Sequence, residues 1–114
     1  MSNESVAPDY RQTLHDSVVE TAHGVIGHTI GVVEAAHRFM ELAAELDALD
    51  DEDFQYFIAL DSQSDGFPVG AAREHWSPKA LEREDLARRQ YESAVYGEAV
   101  EHCRSLIARY ASGD

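Results

Sequence analysis

The sequence predicts an all-α fold, a compact helical bundle of three to five helices with a long C-terminal helix. Three observations carry this. Apolar residues recur at spacings of three and four along most of the chain, helix start and stop residues sit at the ends of those runs, and no segment alternates convincingly as a strand. At 114 residues the chain is one domain's worth. It reads as a single domain over 1–114, with 1–7 flexible.

The first run spans about Pro8 to His23, where Tyr10, Leu14, Val18, Ala22 and Val25 form one apolar face. Pro8 suits a first helical turn, and Asp9 beside it complements the positive end of the helix dipole. Gly24 and Gly27 each cost about 1 kcal/mol in a helix relative to Ala, so they predict a turn. Thr29 is placed to cap the next helix. That second helix covers about Ile30 to Leu49, with Val32, Ala36, Phe39, Ala43 and Leu46 on one side, Ala35 and Leu42 adjoining, and Glu34, His37, Glu41 and Glu45 pointing away. One straight helix over 8–49 would need the apolar stripe to jump about a quarter turn near Thr29, because each residue turns ~100°. Two helices are therefore favoured over a single kinked one.

Asp50 or Asp51 caps a short third helix, with Phe54, Phe57 and Ile58 as its buried side. Asp61–Gly70, DSQSDGFPVG, is rich in turn formers and reads as a loop. Ala71–Trp76 forms one more helical turn. Ser77-Pro78 is a start signal for a helix reaching about Tyr110 and ended by Ser112-Gly113. Tyr91, Val95, Ala99, Cys103, Leu106 and Tyr110 line its C-terminal half. Its first half, Lys79–Glu92, has little apolar surface beyond Leu81, Leu86 and Ala87, so it stands in solvent or meets a partner.

Charge excludes some functions. The formal net charge is −13, from 22 acids against nine bases. Phosphate contacts need an excess of Lys and Arg, so direct nucleic-acid binding is not expected. There is no run of 18 apolar residues and no apolar leader, so no membrane span or signal peptide is expected. The lone Cys103 cannot form an internal disulfide, which favours a reducing, cytoplasmic setting. Residues 1–57 hold twelve acids and two bases, whereas 58–114 hold ten and seven. Six acids fall within nine positions: Glu45, Asp47, Asp50, Asp51, Glu52 and Asp53. Concentrated negative charge steers a basic partner, whereas dispersed charge mostly aids solubility.

Other constellations have duller explanations. Glu20-x-x-His23 and Glu34-x-x-His37 each put a carboxylate and an imidazole on one helical face, as di-iron bundles do. The second pair lies opposite its helix's apolar stripe, so it points to water. Asp61-Ser62-Gln63-Ser64-Asp65-Gly66 matches the start of a calcium loop, but the bidentate Glu expected at the twelfth position is Ala72. Cys103 lies between Ala99 and Leu106 on the apolar face and reads as core, with His102 ~100° round the helix and badly placed as its base.

The stretch Phe57–Leu81, FIALDSQSDGFPVGAAREHWSPKAL, resembles a small family of bacterial helical proteins. Their pattern runs aspartate, serine, glutamate, threonine, aspartate, then proline, glycine, arginine, tryptophan. The matching residues are Asp61, Ser62, Asp65, Pro68, Gly70, Arg73 and Trp76; Gln63 and Ser64 stand where the family has glutamate and threonine. Glu34-Ala35-Ala36 and Cys103–Ile107 also look similar, so the likeness covers the chain from about Ile30. It implies a protective or interaction role. Physically, Arg73 is expected to reach back to Asp61 or Asp65 through a charge-assisted bond, with Trp76 packed beneath the loop.

These readings converge on a small acidic interaction protein, not an enzyme and with no cofactor. Its expected role is an immunity- or antitoxin-like inhibitor of a basic protein such as a nuclease, with Glu45–Asp53 as the steering surface. The alternatives are a DNA mimic, a metal-binding bundle built on the Glu-x-x-His pairs, and a homodimer formed through the Gly24, Gly27, Gly31 side.

Overall fold

In the computed structural model, α1 covers Ser2–Ile26 and α2 covers Val32–Glu45, so the jump of the apolar stripe does mark a break. Helix α3 follows at Glu52–Gln63, then a 3₁₀ turn at Gly70–His75, then α4 at Pro78–Tyr110. The structure describes residues 2–68 and 70–111, and side chains over 10–68 and 71–111. The expected stop signal Ser112-Gly113 and the first position of the expected flexible segment 1–7 lie outside the described residues. Among the described residues there is no strand, and no helix is long and apolar enough to cross a membrane.

Helix α1 starts six residues earlier than its periodicity predicts, with helical backbone on both sides of Pro8. A proline has no N–H to give the carbonyl four residues back, a local cost that does not stop this helix. Helix α2 is shorter than expected at both ends because the chain turns sharply there. At the end of α1, Thr29 N–H bonds to Gly24 O at 2.8 Å and His28 N–H to Val25 O at 3.2 Å. At the end of α2, Ala48 N–H bonds to Ala43 O at 2.8 Å and Asp47 N–H to Ala44 O at 3.3 Å. Both are Schellman closures, and the left-handed residue they require is His28 (φ 63°) in one and Asp47 (φ 56°) in the other. The glycines serve close approach instead. A Cβ on Gly24 would lie 2.5 Å from Ile30 Cδ1, where the chain folds back over α1.

Caps fix the remaining helix starts. Asp51 caps α3, its Oδ1 accepting from Asp53 N–H at 2.9 Å and Phe54 N–H at 3.3 Å. Ser77 caps α4, its Oγ accepting from Ala80 N–H at 3.2 Å, and Pro78 occupies the first turn. Thr29 does not cap α2: its hydroxyl turns back to Gly24 O, and the N-cap position, Gly31, has no side chain. Glu92 reaches across from α4 instead, its Oε2 accepting from Val33 N–H at 3.0 Å. A Cβ on Gly31 would stand 2.7 Å from that oxygen, so the glycine makes room for a cap borrowed from another helix.

One core joins all four helices. Val18, Ala22 and Val25 from α1 meet Ala36, Phe39 and Ala43 from α2, Phe54, Phe57 and Leu60 from α3, and Ala99, Cys103 and Leu106 from α4. Phe39 is the hub, its ring centroid 4.5 Å from that of Phe57 and 6.1 Å from that of Phe54. All three buried residues of α4 fall in its C-terminal half. At 1.5 Å per residue this 33-residue helix is about 50 Å long, and it sets the molecule's 56 Å axis. The radius of gyration, 15.8 Å, exceeds the roughly 13 Å of a spherical domain of this length for the same reason.

Candidate functional site

The acidic stretch sits where α2 turns into α3, at the C-terminal end of α4. Its six carboxylates divide into two groups. Asp51 and Asp53 are engaged inside the molecule. The Arg109 guanidinium donates to both, its Nη1 lying 3.1 Å from Asp51 Oδ1 and 2.9 Å from Asp53 Oδ2, with a further contact from Nη2 to Asp51 Oδ2. Asp53 also accepts from Ser105 Oγ at 2.6 Å and from His102 Nδ1 at 2.8 Å. A carboxylate only accepts, so the His102 proton on this bond is on Nδ1. Hydrogen bonding from Arg109 holds the Asp51 carboxyl below its usual range. Burial pushes the Asp53 carboxyl up, and the bonds from Ser105, His102 and Arg109 outweigh it, so it too lies low.

Glu45, Asp47, Asp50 and Glu52 form the second group and are exposed. Glu45 accepts a hydrogen bond from the hydroxyl of Tyr10, which is expected on the buried face of α1 but is 51% exposed. Asp47 holds the left-handed position that ends α2. Aspartate tolerates that backbone better than most residues, but glycine adopts it without a Cβ clash. Asp47→Gly is therefore expected to raise stability by about 0.5–1 kcal/mol while removing one surface charge, as read by urea unfolding. A loss of stability would mean that the carboxylate has a structural partner.

Asp53, His102 and Ser105 have the residue types of a hydrolytic triad but not its geometry. The Ser105 hydroxyl donates to Asp53 itself and not to the His102 imidazole, so no base is set to take its proton as a triad requires. The His102 ring instead stacks on Tyr56, with centroids 4.2 Å apart. Cys103 is fully buried as expected, and burial pushes its thiol up to about 12, so it holds no thiolate near neutral pH.

The segment around Asp61 lines a groove of about 900 Å³ bounded by α2, the end of α3, the chain after it and α4. Asp61 lies in the last turn of α3 and faces His37 Nδ1 at 3.2 Å. Ser62 and Asp65 are exposed. Ser64 is buried and donates to Leu60 O at 2.7 Å, and Gln63 Oε1 accepts from the Tyr91 hydroxyl at 3.0 Å. Of the oxygens expected of a calcium loop, those of Asp61 and Gln63 thus turn to different partners and those of Asp65 are exposed.

Arg73 corrects the expectation for this segment. It does not reach Asp61 or Asp65. It makes a bidentate pair with Asp85 of α4, at 2.7 and 2.9 Å, and a longer bond to the carbonyl of buried Pro68 at 3.4 Å. Arg73 lies in the 3₁₀ turn just before α4, and its side chain goes forward to that helix, not back to α3. This pair holds the Asp85 carboxyl below its ordinary range. Trp76, expected to pack beneath the loop, is 38% exposed.

The Glu-x-x-His residues, Glu20, His23, Glu34 and His37, are all exposed, and Arg38 takes Glu34 at 2.6 Å. No group of three or more His, Cys, Asp or Glu comes together as a metal site among the described residues. Gly24 and Gly31, expected on a self-association face, pack against Ile30 and Glu92 of the same chain. Comparison of the chain with models of known families, with curated proteins and with solved structures gives no match.

Proposed function

We propose that this chain is a small acidic interaction protein of the cytoplasm that covers a cationic surface on another protein, as an immunity protein covers a nuclease. It would act without turning over a substrate. The single observation that carries this reading is the lengthwise division of charge. Residues 41–53 hold seven acids and no base, whereas 73–92 interleave five acids with five bases. Arg109 fixes the acidic turn beside the C-terminus of α4. From Arg83 to Arg109 along that helix is about 39 Å, several times the roughly 8–10 Å over which salt screens charge. The two ends are therefore felt separately, and a basic partner is drawn to one of them. Such steering raises the association rate more than it sets the affinity.

The test is a paired charge reversal. Asp50→Lys with Glu52→Lys changes the exposed acidic turn without touching Asp51 or Asp53, and Glu82→Lys with Glu84→Lys makes the same charge change at the other end. Cationic proteins captured by the wild-type chain from its own host are purified and their association rates measured from low to high salt. The first variant is expected to slow association by about tenfold or more at low salt and to flatten the salt dependence, while the second does little. Equal behaviour of the two variants, or rates independent of salt, would overturn the reading.

A further inference from the structure

The groove beside α4 has charge left over on two sides. On one, Arg73 and Arg88 share a single carboxylate. Arg73 takes both oxygens of Asp85, leaving Arg88 Nη2 standing off at 3.8 Å. No hydrogen bond reaches the Arg88 guanidinium from the described residues, and its Nε is buried with no acceptor, the one side-chain atom in that condition among them. Native structures leave few such donors unpaired, because each forfeits its hydration without replacement. Two guanidiniums thus share one carboxylate, and Glu92, the acid that α4 gives the lining, is turned to the Val33 N–H of α2.

Another part of the lining holds the opposite excess. His37 lies between two carboxylates, Asp61 at 3.2 Å and Glu41 at 3.6 Å, and one imidazole cannot neutralise both. Glu34 does not add to this excess, because Arg38 is paired with it. Phe67 and Val33 contribute apolar lining. In all, five acids line the groove against three arginines, a field that repels polyphosphates and other polyanions. The volume of about 900 Å³ is that of a small-molecule site.

We infer that this groove binds a zwitterion of the amino-acid or short-peptide class. The ligand's carboxylate lies on Arg88, whose planar fork matches it, and its ammonium lies toward Asp61 and Glu41. Neither the acidic turn nor a protein partner enters into this binding, so it stands or falls apart from the docking role.

The probe is trialanine with free ends, compared with its C-terminal amide and its N-acetyl form. Binding is followed in the intact wild-type chain through the NMR signal of the Arg88 Nε–H. Free trialanine is expected to shift that signal saturably while leaving the side-chain signal of exposed Arg104 in place. The amide, which lacks the carboxylate, is expected to bind about tenfold more weakly or worse, and the acetylated form is weakened in the same sense. Arg88→Gln is expected to lose binding to a similar degree, while Arg83→Gln, outside the groove lining, keeps it. An unmoved Arg88 signal, or equal binding of the free acid and its amide, would overturn the inference. The wild-type titration decides the matter even if Arg88→Gln fails to fold.

Discussion

Replacing Phe39 with alanine is expected to remove about 3–5 kcal/mol of stability, the largest loss for any single truncation in this chain. The ring is fully buried and packs between Phe57 and Phe54, so α2 meets α3 through it. Ala35, Ala36 and Ala43, beside it on α2, are too short to fill the space it leaves. Domains of this size have only about 5–15 kcal/mol in total, so the variant sits near the edge of folding. Urea unfolding followed by circular dichroism is expected to show a much lower midpoint with an unchanged slope. Leu86→Ala on the exposed half of α4 is the control and should change stability by less than about 0.5 kcal/mol. If Phe39→Ala cost no more than this control, the core would not be centred on that ring.

That core is largely legible in the sequence. Spacings of three and four pick out Val18, Ala22, Val25, Ala36, Phe39, Ala43, Phe54, Phe57, Ala99, Cys103 and Leu106, all of them buried. Local signals locate the starts of α3 and α4, since Asp51 and Ser77 cap through bonds reaching only two or three residues along the chain. Where local signals mislead, a distant residue has intervened. Thr29 looks like a cap, yet α2 takes its capping carboxylate from Glu92, 59 positions beyond Val33. Gly27 marks the first turn correctly, but the strained backbone position falls on His28, which no composition rule singles out.

The candidate sites are less legible, and for the same reason. Six clustered acids look alike in a sequence, and only the fold shows that Arg109 on α4 occupies two of them. Arg73 has several carboxylates within reach along the chain, and the choice of Asp85 depends on how the 3₁₀ turn meets α4. The groove is invisible in the sequence because its lining comes from separate stretches of chain. Among its residues, Asp61, Asp65 and Arg73 stand out in the central segment, whereas Arg88 carries no sequence signal at all.

Asp53→Asn is expected to give the second largest loss, about 2–4 kcal/mol. The wild-type carboxylate collects three side-chain donors, from His102, Ser105 and Arg109, and thereby ties the start of α3 to the end of α4. An amide offers one acceptor oxygen and turns an N–H₂ toward donors, so at least one of them loses its partner in a half-buried site. Asp51→Asn separates the contributions, because asparagine still caps α3 while the charge opposite Arg109 is gone; it is expected to cost less. The same carboxylates set the response to acid. Both have folded-state pKa values below their ordinary range, so in this window the unfolded chain binds protons before the folded one does. Stability from this pair is therefore fully present above the unfolded value of about 3.9 and drains away as pH falls through the lower, folded values. Urea midpoints measured between about pH 2 and 6 are expected to fall toward acid in the wild type and to fall less steeply in a variant carrying both asparagines. Equal slopes would show that Arg109 and these two aspartates do not hold α3 to α4, and that the acidic turn is joined to the bundle by apolar packing alone.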